Sequence, residues 1–275
     1  MDAVVFPAVI AGVARITASC ICFKKIFYVI DLFPYDSGYN DCGIVGAMRT
    51  RSKYLLRAVK ATRYLRFVPF MRMLGLNGSL VRGEEKVESD IDFLIIAKKN
   101  RLYTARFFAV MLAELTGYRR KGDKVAGRIC LNCYLPDANL DITPQNPKSK
   151  NKVAKAYKYL IALIDEGGYE KRFLEKNKWF DNYKVFGARY SDNLREKLLY
   201  LINDRTFRTD FTGRKALKPR KWGERILSGK FGDFLEKKLM GYQVKRILAG
   251  KKAGDEVVCK KNEIRLHPKK VSGLN

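Results

Sequence analysis

Residues 74–97, LGLNGSLVRGEEKVESDIDFLIIA, decide the fold and carry the clearest functional pattern in the chain. The continuously apolar run at 93–96 is typical of a central strand that is covered on both faces. Directly before it, Asp90 and Asp92 alternate with apolar residues, so both carboxylates point to one face of the strand. Hard cations prefer oxygen ligands, and this arrangement therefore predicts a site for Mg²⁺ or Mn²⁺.

The same stretch contains a Gly-Ser pair at a turn that opens a short predicted helix. Gly78 permits a close backbone approach, and Ser79 adds a hydroxyl beside the free N–H groups of a helix N-terminus, which attract phosphate oxygens. Arg82 is the basic residue that we expect to contact a phosphate first. The pattern predicts that Gly78, Ser79 and Arg82 bind the phosphates of a nucleotide.

Together, these two patterns resemble the signature of the DNA polymerase β-like nucleotidyltransferase superfamily. Asp90 follows Ser79 by 11 positions, and Ser89 completes a Ser-Asp-Ile-Asp motif. Segments 67–70, 128–132, 177–179 and 265–268 are similar to parts of uncharacterised bacterial and archaeal nucleotidyltransferase-domain proteins. The resemblance implies an α+β protein with the nucleotidyltransferase fold, a small mixed sheet with packed helices over about residues 74–145. It also implies transfer of a nucleoside monophosphate from an NTP to a hydroxyl, with pyrophosphate release.

The third carboxylate of that superfamily has no secure place in this sequence. It is expected on a neighbouring strand, predicted at 128–135, whose inward polar residue is Asn132. An amide can accept a metal bond but cannot act as a base. Asp141 is the nearest carboxylate with a strand-like context, and Asp137 is a loop alternative. Two hypotheses therefore stay open: an active transferase, and a catalytically degenerate nucleotide- or nucleic-acid-binding protein of the same fold.

The charge of the chain favours a polyanionic partner. Lys and Arg number 55 against 28 Asp and Glu, a net charge of +27. Nucleic acid through a basic surface, nucleotide phosphates and an anionic membrane face all fit that field, and lysines scattered over a solvated surface are the simpler alternative. We expect an NTP as substrate, whereas the acceptor stays open among RNA, protein and small molecules.

The pattern along the chain predicts three regions. Residues 1–45 form an N-terminal accessory segment, 46–150 the catalytic core, and 151–275 a mainly helical region. Helical periodicity is predicted at 46–73, 101–116, 152–166, 191–203 and 230–249. The last of these is basic and amphipathic, which fits a helix packed on the core with solvated lysines better than a nucleic-acid contact.

The apolar segment 3–23 has the length of a membrane span. Arg15 near its centre and Pro7 within it favour a buried amphipathic element instead, so no stable membrane insertion is expected. Six cysteines without a convincing secretory signal predict a cytoplasmic protein with free thiols. Cys130 and Cys133 are expected on opposite faces of their strand, as core residues, and His267, the only histidine, is expected to be structural.

Overall fold

The chain divides into two units, Met1–Ser52 and Lys53–Asn275. The computed structural model describes residues 42–122, 124–144, 146–185, 188–203, 218–251, 256–261 and 263–267. The predicted accessory segment 1–45 therefore lies outside the described residues apart from its last four positions.

One mixed sheet lies at the core of the described part of the second unit. Its strands are β1 (Met71–Asn77), β2 (Ile91–Ala97), β3 (Ile129–Pro136), β4 (Ile161–Asp165), β5 (Glu256–Lys260) and β6 (Glu263–His267). Their order in the sheet is β4-β1-β2-β3-β6-β5. The pair of β2 and β3 is parallel, and the other neighbouring pairs are antiparallel. The protein is thus a mixed α+β structure.

Eight α-helices are present in the described residues: α1 (Cys42–Leu65), α2 (Ser79–Arg82), α3 (Leu102–Leu115), α4 (Lys150–Tyr157), α5 (Tyr169–Lys176), α6 (Ala188–Asn203), α7 (Lys218–Ile226) and α8 (Lys230–Ala249). Short 3₁₀ helices cover Pro147–Ser149 and Lys178–Asn182. Helix α3 packs against β3, and α8 packs against α3.

The core lies on both faces of β2, whose residues 93–97 are fully buried. On one face, Leu94 belongs to a cluster that includes Tyr157 at the end of α4 and Phe173 in α5. Burial of such large apolar side chains is the main source of stability in a sheet of this kind. The predicted central, doubly covered strand is therefore confirmed.

Helix α3 begins without a capping side chain of its own, because Arg101 stands at the N-cap. Glu236 of α8 supplies the missing acceptor: its carboxylate oxygens accept from the backbone N–H groups of Tyr103 (2.9 Å) and Thr104 (2.8 Å). These are among the first N–H groups of the helix, which have no partner inside it. The contact attaches α8 firmly to the sheet-packed helix.

The predicted helix at 46–73 is correct as far as Leu65 and wrong at its end, where residues 71–73 belong to β1. Pro69 disfavours helical backbone in the residue before it. Phe70 then takes a positive φ of 63°, which turns the chain into the strand. The helices predicted at 101–116, 191–203 and 230–249 and the strand predicted at 128–135 are confirmed within two or three residues.

The predicted helix at 152–166 is wrong in its second half, because α4 ends at Tyr157 and β4 follows at Ile161. A short apolar run such as 160–164 fits a buried helix or a strand equally well, and here the open edge of β1 selects the strand. Strands β4, β5 and β6 come from the region predicted as mainly helical. The sheet therefore crosses the boundary predicted near residue 150.

No helix among the described residues combines the length and the apolar character that crossing a membrane requires. Segment 3–23 lies outside those residues.

Candidate functional site

The two halves of the predicted motif meet at neighbouring strand ends. Strands β1 and β2 are antiparallel, with Asn77 opposite Asp92. Gly78 therefore lies beside Asp92. A Cβ atom on Gly78 would come within 2.4 Å of the Asp92 Oδ2 atom, and the φ of Gly78 is +82°. Only glycine combines that backbone conformation with so close an approach.

The turn after β1 opens a short helix, as predicted. Ser79 is its first residue, is partly exposed, and accepts through its carbonyl from the N–H of Glu84 (3.0 Å). The N–H of Gly78 donates to the carbonyl of Ala156 in α4 (3.0 Å). That donor is therefore used inside the protein, which leaves the Ser79 hydroxyl and the N–H groups that follow it as the groups at this turn that a ligand could contact.

Asp90 and Asp92 lie together, and each has a partner from another part of the chain. Asp90 Oδ2 accepts from the Arg120 guanidinium at 2.8 Å, and Asp92 Oδ1 accepts from Asn132 Nδ2 at 2.8 Å. A ligand atom of each aspartate and the sulfur of Cys130 all lie within 4.8 Å of one another. The structure thus brings Asn132 to the carboxylates, as predicted. It also brings the Cys130 thiol and the Arg120 guanidinium, which the sequence analysis did not place in the site.

The register of β2 and β3 places Cys130 directly opposite Asp92, and a β-bulge follows it in β3. Asp92 pairs with Cys130, but Leu94 pairs with Cys133, so one extra residue lies between these positions on β3. Residues directly opposite in a ladder share a face. Cys130 and Cys133 therefore lie on the same face, and the prediction of opposite faces is wrong because it assumed regular alternation. Cys133 is a core residue as predicted, whereas Cys130 borders the site.

A sequence signal for Cys130 does exist. Ile91-Asp92-Phe93 and Ile129-Cys130-Leu131 have the same apolar-polar-apolar pattern, and aligning them as parallel neighbours places Cys130 beside Asp92. Arg120 has no comparable signal, because it lies outside the named strands, near a glycine at 122, and its residue type is common in this chain.

The charges in the site change the pKa values of the Cys130 thiol and the Arg120 guanidinium. Burial, followed by the charges of Asp92 and Asp90, raises the pKa of the Cys130 thiol well above its ordinary value, although Arg120 lowers it in part. Cys130 is therefore a neutral thiol at physiological pH. Burial would lower the pKa of Arg120, but Asp90 and Cys130 together raise it. Arg120 remains a cation beside the carboxylates.

Asp141 and Asp137 are not brought to this group, since both follow the opposite end of β3. Asp141 is exposed and accepts from the N–H of Thr143 (2.8 Å). Asp137 accepts from the N–H of Lys99 (2.8 Å). Each of these carboxylates thus stabilises a connecting segment by accepting from a backbone N–H group. Within the described residues, the third donor beside Asp90 and Asp92 is an amide or a thiol, and no third carboxylate joins them.

Arg82, predicted as a phosphate contact, is buried and bonded within the protein. Its guanidinium donates to the carbonyl of Lys155 (2.5 Å) and pairs with Glu84 (3.1 Å). Burial would raise the pKa of Glu84, but hydrogen bonds from Arg82 and Lys155 lower it. Arg82 thus connects α2 to α4. Arg120, partly exposed and adjacent to Asp90, is better placed to contact a ligand phosphate.

The oxygen atoms around Asp92 fit a hard divalent cation. In addition to the two carboxylates, the Oδ1 atoms of Asn77 and Asn132 are buried and have no hydrogen-bond partner among the described residues. A buried acceptor without a partner is costly, and a bound cation would satisfy it. The Cys130 sulfur is the one donor here that suits softer metals better than Mg²⁺.

Comparison with known proteins adds no relative to this description: the chain matched no protein-family model, no curated protein and no solved structure. The functional interpretation consequently depends on the geometry of the site and on its motif.

Proposed function

We propose that the chain is a metal-dependent nucleotidyltransferase of the polymerase β-like type, which transfers a nucleoside monophosphate from an NTP to a hydroxyl. One observation carries the proposal: the Gly78-Ser79 turn lies against Asp92 at the ends of β1 and β2. A phosphate-binding turn and a carboxylate pair are both needed at one position for this chemistry, and the ten residues between Ser79 and Asp90 return the chain so that the two lie together.

In the proposed reaction, Asp90 and Asp92 would hold Mg²⁺ or Mn²⁺. The Asn132 amide oxygen would join them after the amide turns over, because its Nδ2 donates to Asp92 in this structure. The bound metal would neutralise charge on the triphosphate and on the oxygens that react. Ser79 contacts the phosphates, and Arg120 can leave Asp90 to pair with them. The acceptor oxygen bonds to the α-phosphorus, the bond from that phosphorus to the β-bridging oxygen breaks, and pyrophosphate leaves.

The proton of the acceptor hydroxyl has no dedicated acceptor among the described side chains. Asp90 and Asp92 are engaged by metal, Asn132 is an amide, and Cys130 is a neutral thiol. The proton therefore passes to solvent, and we expect slow turnover. The same observation favours a second candidate function, a nucleotide-binding protein of this fold that performs no transfer.

The deciding experiment measures pyrophosphate release from each NTP with Mg²⁺ or Mn²⁺ in the presence of RNA, protein and small-molecule acceptors. Wild type is compared with Asp90→Asn/Asp92→Asn and with the matched control Asp137→Asn/Asp141→Asn. Release that survives in the control and disappears in the first variant would support the transferase. Calorimetry separates the remaining cases: tight Mg-NTP binding without release selects the second function, and no binding by wild type rejects both.

A further inference from the structure

Helices α7 and α8 separate their charges between two sides. The acidic side chains of segment 218–251 are Glu224, Asp233 and Glu236. Glu224 accepts from the N–H of Phe70 (2.7 Å), Asp233 pairs with Arg101 (2.6 Å), and Glu236 caps α3. All three acids therefore have partners in the rest of the unit, and Asp233 remains exposed.

The basic side chains of the same segment are directed mainly to solvent. Arg220 is the exception, since it is buried and paired with Glu166 (2.5 Å). The exposed basic residues are Lys221, Arg225, Lys230, Lys237, Lys238, Lys245, Arg246 and Lys251. Because these eight cations are exposed and Asp233 is the one exposed acid of the segment, this outer surface is strongly positive and attracts polyanions.

Large aromatic side chains lie among these cations. Phe231, Phe234 and Tyr242 are 61%, 58% and 61% exposed. With Lys238 and Lys245 they occupy positions spaced by three or four residues, which places all five on one face of α8. We call these five residues the aromatic-basic stripe. Lys238 Nζ lies 5.5 Å from the centre of the Phe234 ring. The stripe runs over the 14 steps from residue 231 to residue 245, so it extends over roughly 21 Å at a rise of about 1.5 Å per residue.

A groove of about 690 Å³ adjoins the stripe between α3 and α8. Tyr242 belongs to both, and Phe107, Leu115, Arg246 and Lys251 also line the groove. Apolar and aromatic surface is thus available beside cationic groups, and the acidic residue of the lining, Glu114 of α3, pairs with Arg119.

We propose that the aromatic-basic stripe binds single-stranded nucleic acid. Unpaired bases stack on exposed aromatic rings while lysines contact the phosphates between them, and this combination gives affinity with little sequence preference. Paired bases cannot reach the rings in the same way, so a duplex can use only the charges. The stripe offers both kinds of contact at the spacing of successive helical turns.

The same features disfavour a membrane surface as the partner. Helices that lie in a bilayer interface keep their apolar and basic residues on separate faces. Here Lys238 and Lys245 lie within the aromatic face, so inserting the rings would also bury the ammonium groups. The binding proposed for α8 does not depend on nucleotidyl transfer at Asp90 and Asp92.

Fluorescence anisotropy of the full chain with labelled RNA and DNA strands of about 20 nucleotides tests the proposal, since single-strand sites cover roughly 4–16 nucleotides. Phe234→Ala/Tyr242→Ala should weaken binding about tenfold or more through lost stacking. Lys238→Gln/Lys245→Gln should lower the salt slope by roughly 1.4, at about 0.7 per phosphate contact. The matched control Lys171→Gln/Lys176→Gln, on exposed positions of α5, should change neither quantity comparably.

Three results would overturn the proposal. The first is equal weakening by the α5 control, which would indicate attraction by net charge alone. The second is duplex binding as tight as single-strand binding, together with no effect of Phe234→Ala/Tyr242→Ala. The third is binding to anionic vesicles that depends on the stripe when oligonucleotide binding does not. Asp90→Asn/Asp92→Asn should bind oligonucleotides like wild type, which separates failure of this proposal from failure of the transferase.

Discussion

Acidic side chains have different surroundings at the strand ends and on helices α7 and α8. Asp90 and Asp92 lie next to each other, within reach of a shared ligand. Glu224 and Glu236 lie apart, and each accepts from backbone N–H groups. Two adjacent carboxylates repel each other, a cost that the Arg120 cation beside Asp90 reduces and that a shared metal ion would reduce further. Carboxylates that accept from backbone N–H groups add stability.

Acidic residues in the protein therefore have two separable uses, one in ligand binding and one in folding stability. Substitution of the clustered pair should change activity with little loss of folding free energy. Substitution of the isolated acids should do the reverse. Variants that affect only one of these uses test that separation.

The largest effect is expected at the contact between Gly78 and Asp92. Gly78→Ala should reduce pyrophosphate release by about 10²-fold or more, because its Cβ would displace the Asp92 carboxylate from the metal position. The unfavourable φ adds a stability cost of about 1–2 kcal/mol. Gly117→Ala is the matched control, since Gly117 also has a positive φ (+68°) but no atom within 4 Å of the added Cβ. Equal activity of the two variants would contradict the close approach.

The next effect is on stability alone. Glu236→Ala leaves two N–H groups of α3 without an acceptor, and we expect the free energy of unfolding to fall by about 2–3 kcal/mol. Glu175→Ala removes only a surface ion pair at 4.0 Å and should cost less than about 0.5 kcal/mol. Urea denaturation measures both changes. If Asp92→Asn destabilises as much as Glu236→Ala does, the two uses are not separate.

A smaller effect concerns pH. Burial raises the pKa of Cys133 to about 12 from an ordinary value of 9.0. Between these values the unfolded chain is ionised at this thiol while the folded chain is protonated, so the unfolded state binds fewer protons and stability falls as pH rises. The fall should be about 1.4 kcal/mol per pH unit for this group. Denaturation of wild type and Cys133→Ala at pH 8 and pH 10 measures it: the difference between the two proteins should shrink at the higher pH, and a constant difference would contradict the prediction.

The smallest effect is a gain. Cys130 in β3 pairs with Asp92 in β2. Cys130→Asp therefore places a third carboxylate beside Asp90 and Asp92 and should raise pyrophosphate release several-fold. Asn132→Asp serves as the comparison, because it loses the donor to Asp92 and adds a charge within the bulge. A gain from Asn132→Asp instead would assign the third position to residue 132.

The parts of the fold that sequence could predict are those with local causes. The buried run at 93–96 and the alternation of Asp90 and Asp92 define β2 and its polar face. The helix predicted at 230–249 is present as α8, but the predicted amphipathic pattern is wrong, because apolar and basic residues share its faces. The pairing of β6 with β3 has no local cause, because it depends on which distant strand reaches an open edge. For the same reason the apolar run at 160–164 was assigned to a helix.

In the candidate site, sequence identified the residues whose type is unusual in its setting. Asp90, Asp92 and Gly78 meet as the motif predicts. Asn132 also reaches the carboxylates, but the bulge that contains it, and that brings Cys133 to the face of Cys130, is invisible in a pattern of period two. Arg82 differs for another reason: an arginine near a turn can pair outward or inward, and the packing of α2 on α4 directs this one inward.

The pairing of β3 with β6 also has a consequence for biosynthesis. Ile264, which pairs with Tyr134, leaves the ribosome 130 residues later. At translation rates of about 5–20 residues per second, the edge of β3 stays unpaired in the nascent chain for roughly 7–26 s. An open strand edge is prone to pairing with other chains. Nascent chains of this protein should therefore depend on chaperones during that interval more than the completed protein does.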